Sequence, residues 1–140
     1  MVFVDASAWV ALFDSRDEHH EEAKEYWHLL IEELDLPIST SNWTVYEAYT
    51  VVKSHAGYRQ MIELKNLLDW TTISVTTVTD EDEQDALRVF TDRAYRNKGW
   101  SVVDCANVVL AGRIGCEEFF AFNPRDYPQL CGLYGLKVAP

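Results

Sequence analysis

The chain has 140 residues, 48% of them hydrophobic, which suits a single domain over residues 1–140 with a real core. A net charge of −11 excludes a protein that holds nucleic acid by charge alone; attraction to RNA or DNA would have to be local or come through bound cations, and the acidic surface suits a basic protein partner. The absence of a long apolar run or a leader-like opening, with three cysteines in no paired metal spacing, predicts a cytoplasmic protein with reduced, packed thiols and no membrane contact.

Met1-Val2-Phe3-Val4 runs straight into Asp5-Ala6-Ser7. A continuous apolar run of this kind predicts a strand buried on both faces, as in a parallel sheet. Asp5 then stands at the carboxyl end of that strand, where open α/β sheets bind their ligands. Asp5 or Ser7 also fits a simple cap for a helix over about Ala8 to Phe13. His19 to Leu34 has helical spacing, with Ala23, Tyr26, Trp27, Leu30, Ile31 and Leu34 on one side and glutamates on the other. His19, His20 and His28 read as surface histidines.

Leu36 to Thr40 predicts a second strand, and Ser41 or Asn42 caps a helix through about Ser54. Glu47 falls among that helix's apolar positions, where a carboxylate is costly unless it is paired or holds a cation. It also fits an exposed place between two packed stripes. Tyr58 to Leu68 is helical, Trp70 to Thr77 reads as a third strand, and Thr79 to Tyr95 as a helix capped by Thr79 or Asp80. The acids at 80–83 read as a solvated first turn favoured by the helix dipole. Arg93, Arg96 and Lys98 are notable in so acidic a chain. They read equally well as cations complementing a helix end.

Ser101 to Ile114 predicts a buried central helix stopped by Gly115, with Ser101 and Asp104 spaced as a capping box. Glu118 to Phe122 is the fourth strand, followed by the turn-rich Asn123-Pro124-Arg125-Asp126-Tyr127 and an edge strand near Lys137 and Val138. Strands alternating with helices predict an α/β domain around a mainly parallel sheet. Four acids then stand out in order: Asp5, Glu47, Asp104 and Asp126.

Val2-Phe3-Val4-Asp5-Ala6-Ser7-Ala8, Ser39 to Glu47, Ser101-Val102-Val103-Asp104-Cys105-Ala106 and Phe122 to Tyr127 with Gly135 to Pro140 together resemble the motif series of the PIN domain family, the ribonuclease fold of VapC-type toxins. The resemblance covers essentially the whole chain, with Ala121, Cys105 and Tyr127 departing from the usual residues. It implies a three-layer α/β/α sandwich and a Mg²⁺- or Mn²⁺-dependent endoribonuclease, the toxin of a type II pair. Asp5, Glu47, Asp104 and Asp126 would be the catalytic metal ligands. Physical chemistry agrees: clustered carboxylates do not all stay ionised without a cation, and a hard divalent ion suits an all-oxygen site. Ser7, Ser101 and Asn123 would orient those ligands, and Arg93, Arg96 and Lys98 would steer the RNA backbone. The partners implied are an RNA substrate, a basic antitoxin crossing the acidic groove, and a second copy in a homodimer. A catalytically silent PIN-like binding module is the alternative.

Overall fold

A computed structural model describes residues 1–70, 72–122 and 126–140. Five strands form one sheet: β1 (Val2–Val4), β2 (Ile38–Ser41), β3 (Ser74–Thr76), β4 (Glu118–Phe120) and β5 (Lys137–Ala139). They are ordered β3-β2-β1-β4-β5, and every pairing is parallel. In β1 the side chains alternate between two cores. Phe3 packs into one cluster, Val2 and Val4 into the other, and all three are at most 1% exposed. The unbroken apolar run of β1 therefore follows from cover on both faces.

Helices α1 (Ala6–Phe13), α2 (His20–His28), α3 (Asn42–His55) and α4 (Tyr58–Trp70) cover the face of Val2 and Val4. Helices α5 (Asp80–Phe90), α6 (Val102–Arg113) and α7 (Tyr127–Gly132) cover the face of Phe3. The molecule is thus the three-layer α/β/α arrangement expected from the sequence, with the sheet parallel throughout.

Several boundaries differ from the sequence expectation for local reasons. The helix expected over 19–34 widens into a π-helical turn at Leu29–Glu33, and Asp35 at φ +46° turns the chain towards β2. The helix expected to reach Tyr95 stops at Phe90. Asp92 adopts an extended conformation, and its side chain accepts from the Ala94 amide (2.8 Å), which starts a separate 3₁₀ turn over Arg93–Tyr95. The third strand is confined to Ser74–Thr76, because α4 continues to Trp70. The six-residue α7, with Pro128 in its first turn, carries too few turns to show a helical period in sequence.

One expectation is corrected outright. Within the acid run at 80–83, Asp82 is 1% exposed rather than solvated, because Arg113 at the end of α6 meets it with two hydrogen bonds, 2.7 and 2.8 Å.

Candidate active site

The strand order reverses at β1. The chain steps outward to β2 and β3 on one side and returns to β4 and β5 on the other. Ligand sites of open parallel sheets gather beyond the strand carboxyl ends at such a switch point. Here that place holds a cavity of about 350 Å³, whose lining includes Asp5, Ser7, Glu47, Asp104 and Phe122.

Asp5 follows β1 directly and is the N-cap of α1. Its Oδ2 accepts from the Ser7 amide (3.2 Å) and from the Ser7 hydroxyl (2.7 Å). The Ser7 hydroxyl oxygen in turn accepts from the Phe122 amide (3.1 Å), so the chain leaving β4 is pinned to the chain leaving β1. On its other side Asp5 receives a long hydrogen bond from the Asn107 amide nitrogen (3.5 Å). Asn107 also accepts at its Oδ1 from the Ser41 hydroxyl (2.7 Å). Helix α6 and the ends of β1 and β2 thereby meet in one buried polar network.

Asp104 opens α6 inside the expected capping box: its Oδ2 accepts from the Ser101 amide (2.8 Å), and its own amide donates to Ser101 Oγ (3.0 Å). Its Oδ1 accepts from the Tyr127 hydroxyl (2.9 Å). Glu47 lies on the exposed side of α3 and shares the cavity wall with Val51 and His55, four and eight residues on and therefore on the same helix face.

The electrostatics bind these three acids together. Burial, opposed by the Ser7 hydrogen bonds and assisted by the charge of Asp104, holds the Asp5 carboxyl above its ordinary pKa. Glu47 is likewise raised, first by burial and then by the charges of Asp5 and Asp104. Burial and the same two acids push the Tyr127 phenol far upward, so it remains a proton donor to Asp104. Asp17 and Glu18 add further negative charge to the lining, and no Lys or Arg is among its described residues.

The fourth predicted acid has partners of its own. Asp126 is paired with Lys98 (3.3 Å) and accepts at its backbone oxygen from the Trp100 indole (3.1 Å). It is not among the described lining residues, though its neighbour Tyr127 holds Asp104. Lys98, predicted to steer RNA, is the partner of Asp126. Arg93 and Arg96 are exposed in the 3₁₀ turn, with Arg96 donating to the Arg93 carbonyl (2.8 Å). Ser7 and Ser101 each donate a hydrogen bond to an acid, Asp5 and Asp104 respectively, and Asn123 lies outside the described residues.

Sequence reading missed two contributors. Asn107 sits three residues after Asp104, a polar side chain in an otherwise apolar helix, and that anomaly was its signal. His19, read as a surface residue, lines the cavity. The three cysteines are buried, free thiols. Burial, aided by Asp104 at Cys105 and by Asp5 at Cys131, raises Cys105 and Cys116 to about 11 and Cys131 to about 12, so they are inert at neutral pH.

The donor set fits a hard divalent cation. Asp5, Glu47 and Asp104 supply only oxygen, and the oxygens already accepting one hydrogen bond keep a second lone pair. Among the described residues no three His, Cys, Asp or Glu side chains are grouped closely enough to hold a metal ion as they stand. No helix among the described residues is long and apolar enough to cross a membrane.

Known proteins share this fold. The family model of the PIN domain matches residues 2–132. The 23S rRNA-specific endonuclease VapC20 of two Mycobacterium tuberculosis strains is 27% identical over 125 residues, covering 88% of this chain and 89% of that protein. The crystal structure of M. tuberculosis VapC20, described as a sarcin-ricin loop cleaving toxin, superposes with a TM-score of 0.77 at 26% identity, covering 91% of this chain and 92% of that one. PAE2754 from Pyrobaculum aerophilum shares the fold alone, with a TM-score of 0.56 at 16% identity over 98% and 87% of the two chains. With its parallel sheet, its switch-point acids and a family match across almost its whole length, the chain belongs to the PIN domain family and is VapC-like.

Proposed function

We propose that this VapC-like ribonuclease is a Mg²⁺- or Mn²⁺-dependent endonuclease of structured ribosomal RNA and the toxin of a toxin–antitoxin pair. The observation that carries the metal dependence is the convergence of Asp5, Glu47 and Asp104, from three separate elements, on one cavity whose described lining has no Lys or Arg. Such a pocket repels a phosphodiester unless a cation is present. When bound, the ion supplies water activation and charge neutralisation at the phosphodiester. Asp5 and Asp104 are the preoriented ligands, held by Ser7 with Asn107 and by Ser101 with Tyr127. Glu47 is the exposed third ligand. Asp126 contributes as a fourth acid through its neighbourhood with Tyr127, its charge offset by Lys98; Asn123 orients it, and Arg93 and Arg96 meet the RNA backbone.

The ribosomal substrate is supported by the likeness to VapC20. Buried reduced thiols fit a cytoplasmic protein. The partner reading is a basic antitoxin whose arginine enters the acid cavity, its affinity falling with salt. A homodimer follows the commonest assembly and is read by light scattering: a monomer mass across the micromolar range refutes it.

The deciding experiment is cleavage of ribosomal RNA by the purified protein, with EDTA followed by stepwise return of Mg²⁺ or Mn²⁺. Cleavage that stops in EDTA and returns with metal is expected. Undiminished cleavage in EDTA refutes the metal dependence.

A further inference from the structure

We infer that His19 and Phe122 form a stacking platform for an unpaired RNA base at the rim of the acid cavity; this deepens the ribonuclease reading and rests on it. The two rings lie parallel, 4.6 Å apart between centroids and 9° from coplanar. Both line the cavity that holds Asp5, Glu47 and Asp104.

The platform is rigid and in register with the acids. The Phe122 amide donates to Ser7 Oγ (3.1 Å), and the Ser7 hydroxyl donates to Asp5 (2.7 Å), so two hydrogen bonds separate the ring's backbone from a site carboxylate. Phe122 rests edge-on against Phe120, which is fully buried and packs edge-on against Tyr26. The His19 amide donates to Asp17 Oδ1 (2.8 Å). Carboxylate oxygens of Glu18 and Glu22 lie 3.4 and 3.7 Å from the two His19 ring nitrogens. One ring face meets Phe122, while 38% of the side chain remains exposed. That exposed part, on the cavity lining, is the surface open to a ligand.

Charge leaves few other ways to grip RNA here. Among the described lining residues the only basic groups are His19 and His55. Stacking needs no charge, accepts every base, and is a general way proteins hold unpaired nucleotides, with histidine among the residues used. A base laid on His19 would set the adjoining phosphate over the acids.

The test uses short RNAs carrying a single abasic nucleotide, stepped through the positions around the cut. At one position the abasic site should cost the wild-type enzyme about 10- to 100-fold in kcat/KM, mostly through KM. His19→Ala should lose a similar factor on intact RNA and show no further penalty at that position, and His19→Phe should restore most of it. If His19→Ala melts, His19→Leu takes its place: it keeps an apolar contact with Phe122 but has no π-face. A second readout is independent of cleavage: with Ca²⁺ in place of Mg²⁺, RNA with 2-aminopurine at that position should be quenched on binding to the wild type, and not on binding to His19→Ala or His19→Leu. Equal kcat/KM for wild type and His19→Ala on intact RNA, or equal quenching by both, overturns the platform. Failure of wild-type protein to cleave any RNA, with quenching retained, would instead refute the ribonuclease reading and leave the platform standing.

Discussion

Helices α5 and α6 begin with the same device and use it for opposite ends. In both, a hydroxyl at the cap and an aspartate three residues on exchange hydrogen bonds: Thr79 with Asp82 at 3.0 and 3.1 Å, Ser101 with Asp104 at 2.8 and 3.0 Å. The local chemistry is the same, and so is the stabilisation by the helix N-terminus. What differs is the third partner. Asp82 meets the fork of Arg113, while Asp104 meets a phenol and faces two other acids. A guanidinium neutralises its acid and makes it structure. A hydroxyl orients its acid but leaves the charge in place for a ligand. Whether a capping acid does chemistry is decided by what the tertiary fold sets opposite it.

The contrast predicts its own failures. Asp104→Asn should lower RNA cleavage the most, on the order of 10²- to 10³-fold, as for loss of one preorganised charged group. Asparagine keeps one oxygen to accept from the Ser101 amide, and its NH₂ can donate to the Tyr127 hydroxyl oxygen, so the melting temperature should barely move. A large drop in melting temperature would put Asp104 on the structural side with Asp82. Arg113→Met should do the reverse. It leaves the buried Asp82 carboxylate without its cation, at a cost of about 1–3 kcal/mol, reduced from the fully buried case because Arg113 is 43% exposed. Thermal melting should fall by roughly 3–10 °C, with cleavage per folded molecule unchanged.

How much of this was legible in the sequence divides along the same line. Everything set by local chemistry was there: the buried run of β1, the Ser101–Asp104 box, the stop at Gly115 (φ +82°) and the parallel sheet. Glu47, read as costly among apolar positions unless paired or holding a cation, lies on the exposed side of α3, the other place the sequence allowed it. The sequence did not show that Arg113 reaches back to Asp82, because that pair joins positions 31 apart through the packing of α5 against α6. It likewise did not show Lys98 holding Asp126, or His19 turning from the solvent side of α2 onto Phe122. Pairing at long range leaves no trace in periodicity.

Tyr127→Phe sharpens the comparison further. Losing the 2.9 Å bond to Asp104 frees the carboxylate to turn, and cleavage should fall roughly 10-fold, at the lower end of losses from outer ligand-orienting groups. The fold should keep all but about 1 kcal/mol. Cleavage equal to wild type would show that Ser101 alone orients the acid.

The smallest effect is on acid unfolding. Burial alone would raise the Asp82 pKa, but the hydrogen bonds from Arg113 and Thr79 outweigh it and hold the carboxyl below its ordinary 3.8. A depressed folded-state pKa stabilises the protein above the unfolded value, and that contribution is lost as pH falls through the folded one. Asp82→Asn should therefore flatten the loss of stability below about pH 4 relative to wild type, measured by denaturant midpoints across pH. An unchanged slope would mean that Arg113 exerts no net pull on Asp82.

The pairing of β1 with β4 has a consequence in time. Asp5 and its supports lie far apart along the chain: its amide donates to the Phe120 carbonyl, and Asn107, 102 positions on, donates to its carboxylate. The pocket is complete only once these distant segments have met, so it follows the slow, long-range pairing of the parallel sheet. A nuclease whose acid is held this way gains its site only with its whole sheet, and no part of the chain lacking β1 or β4 can carry it.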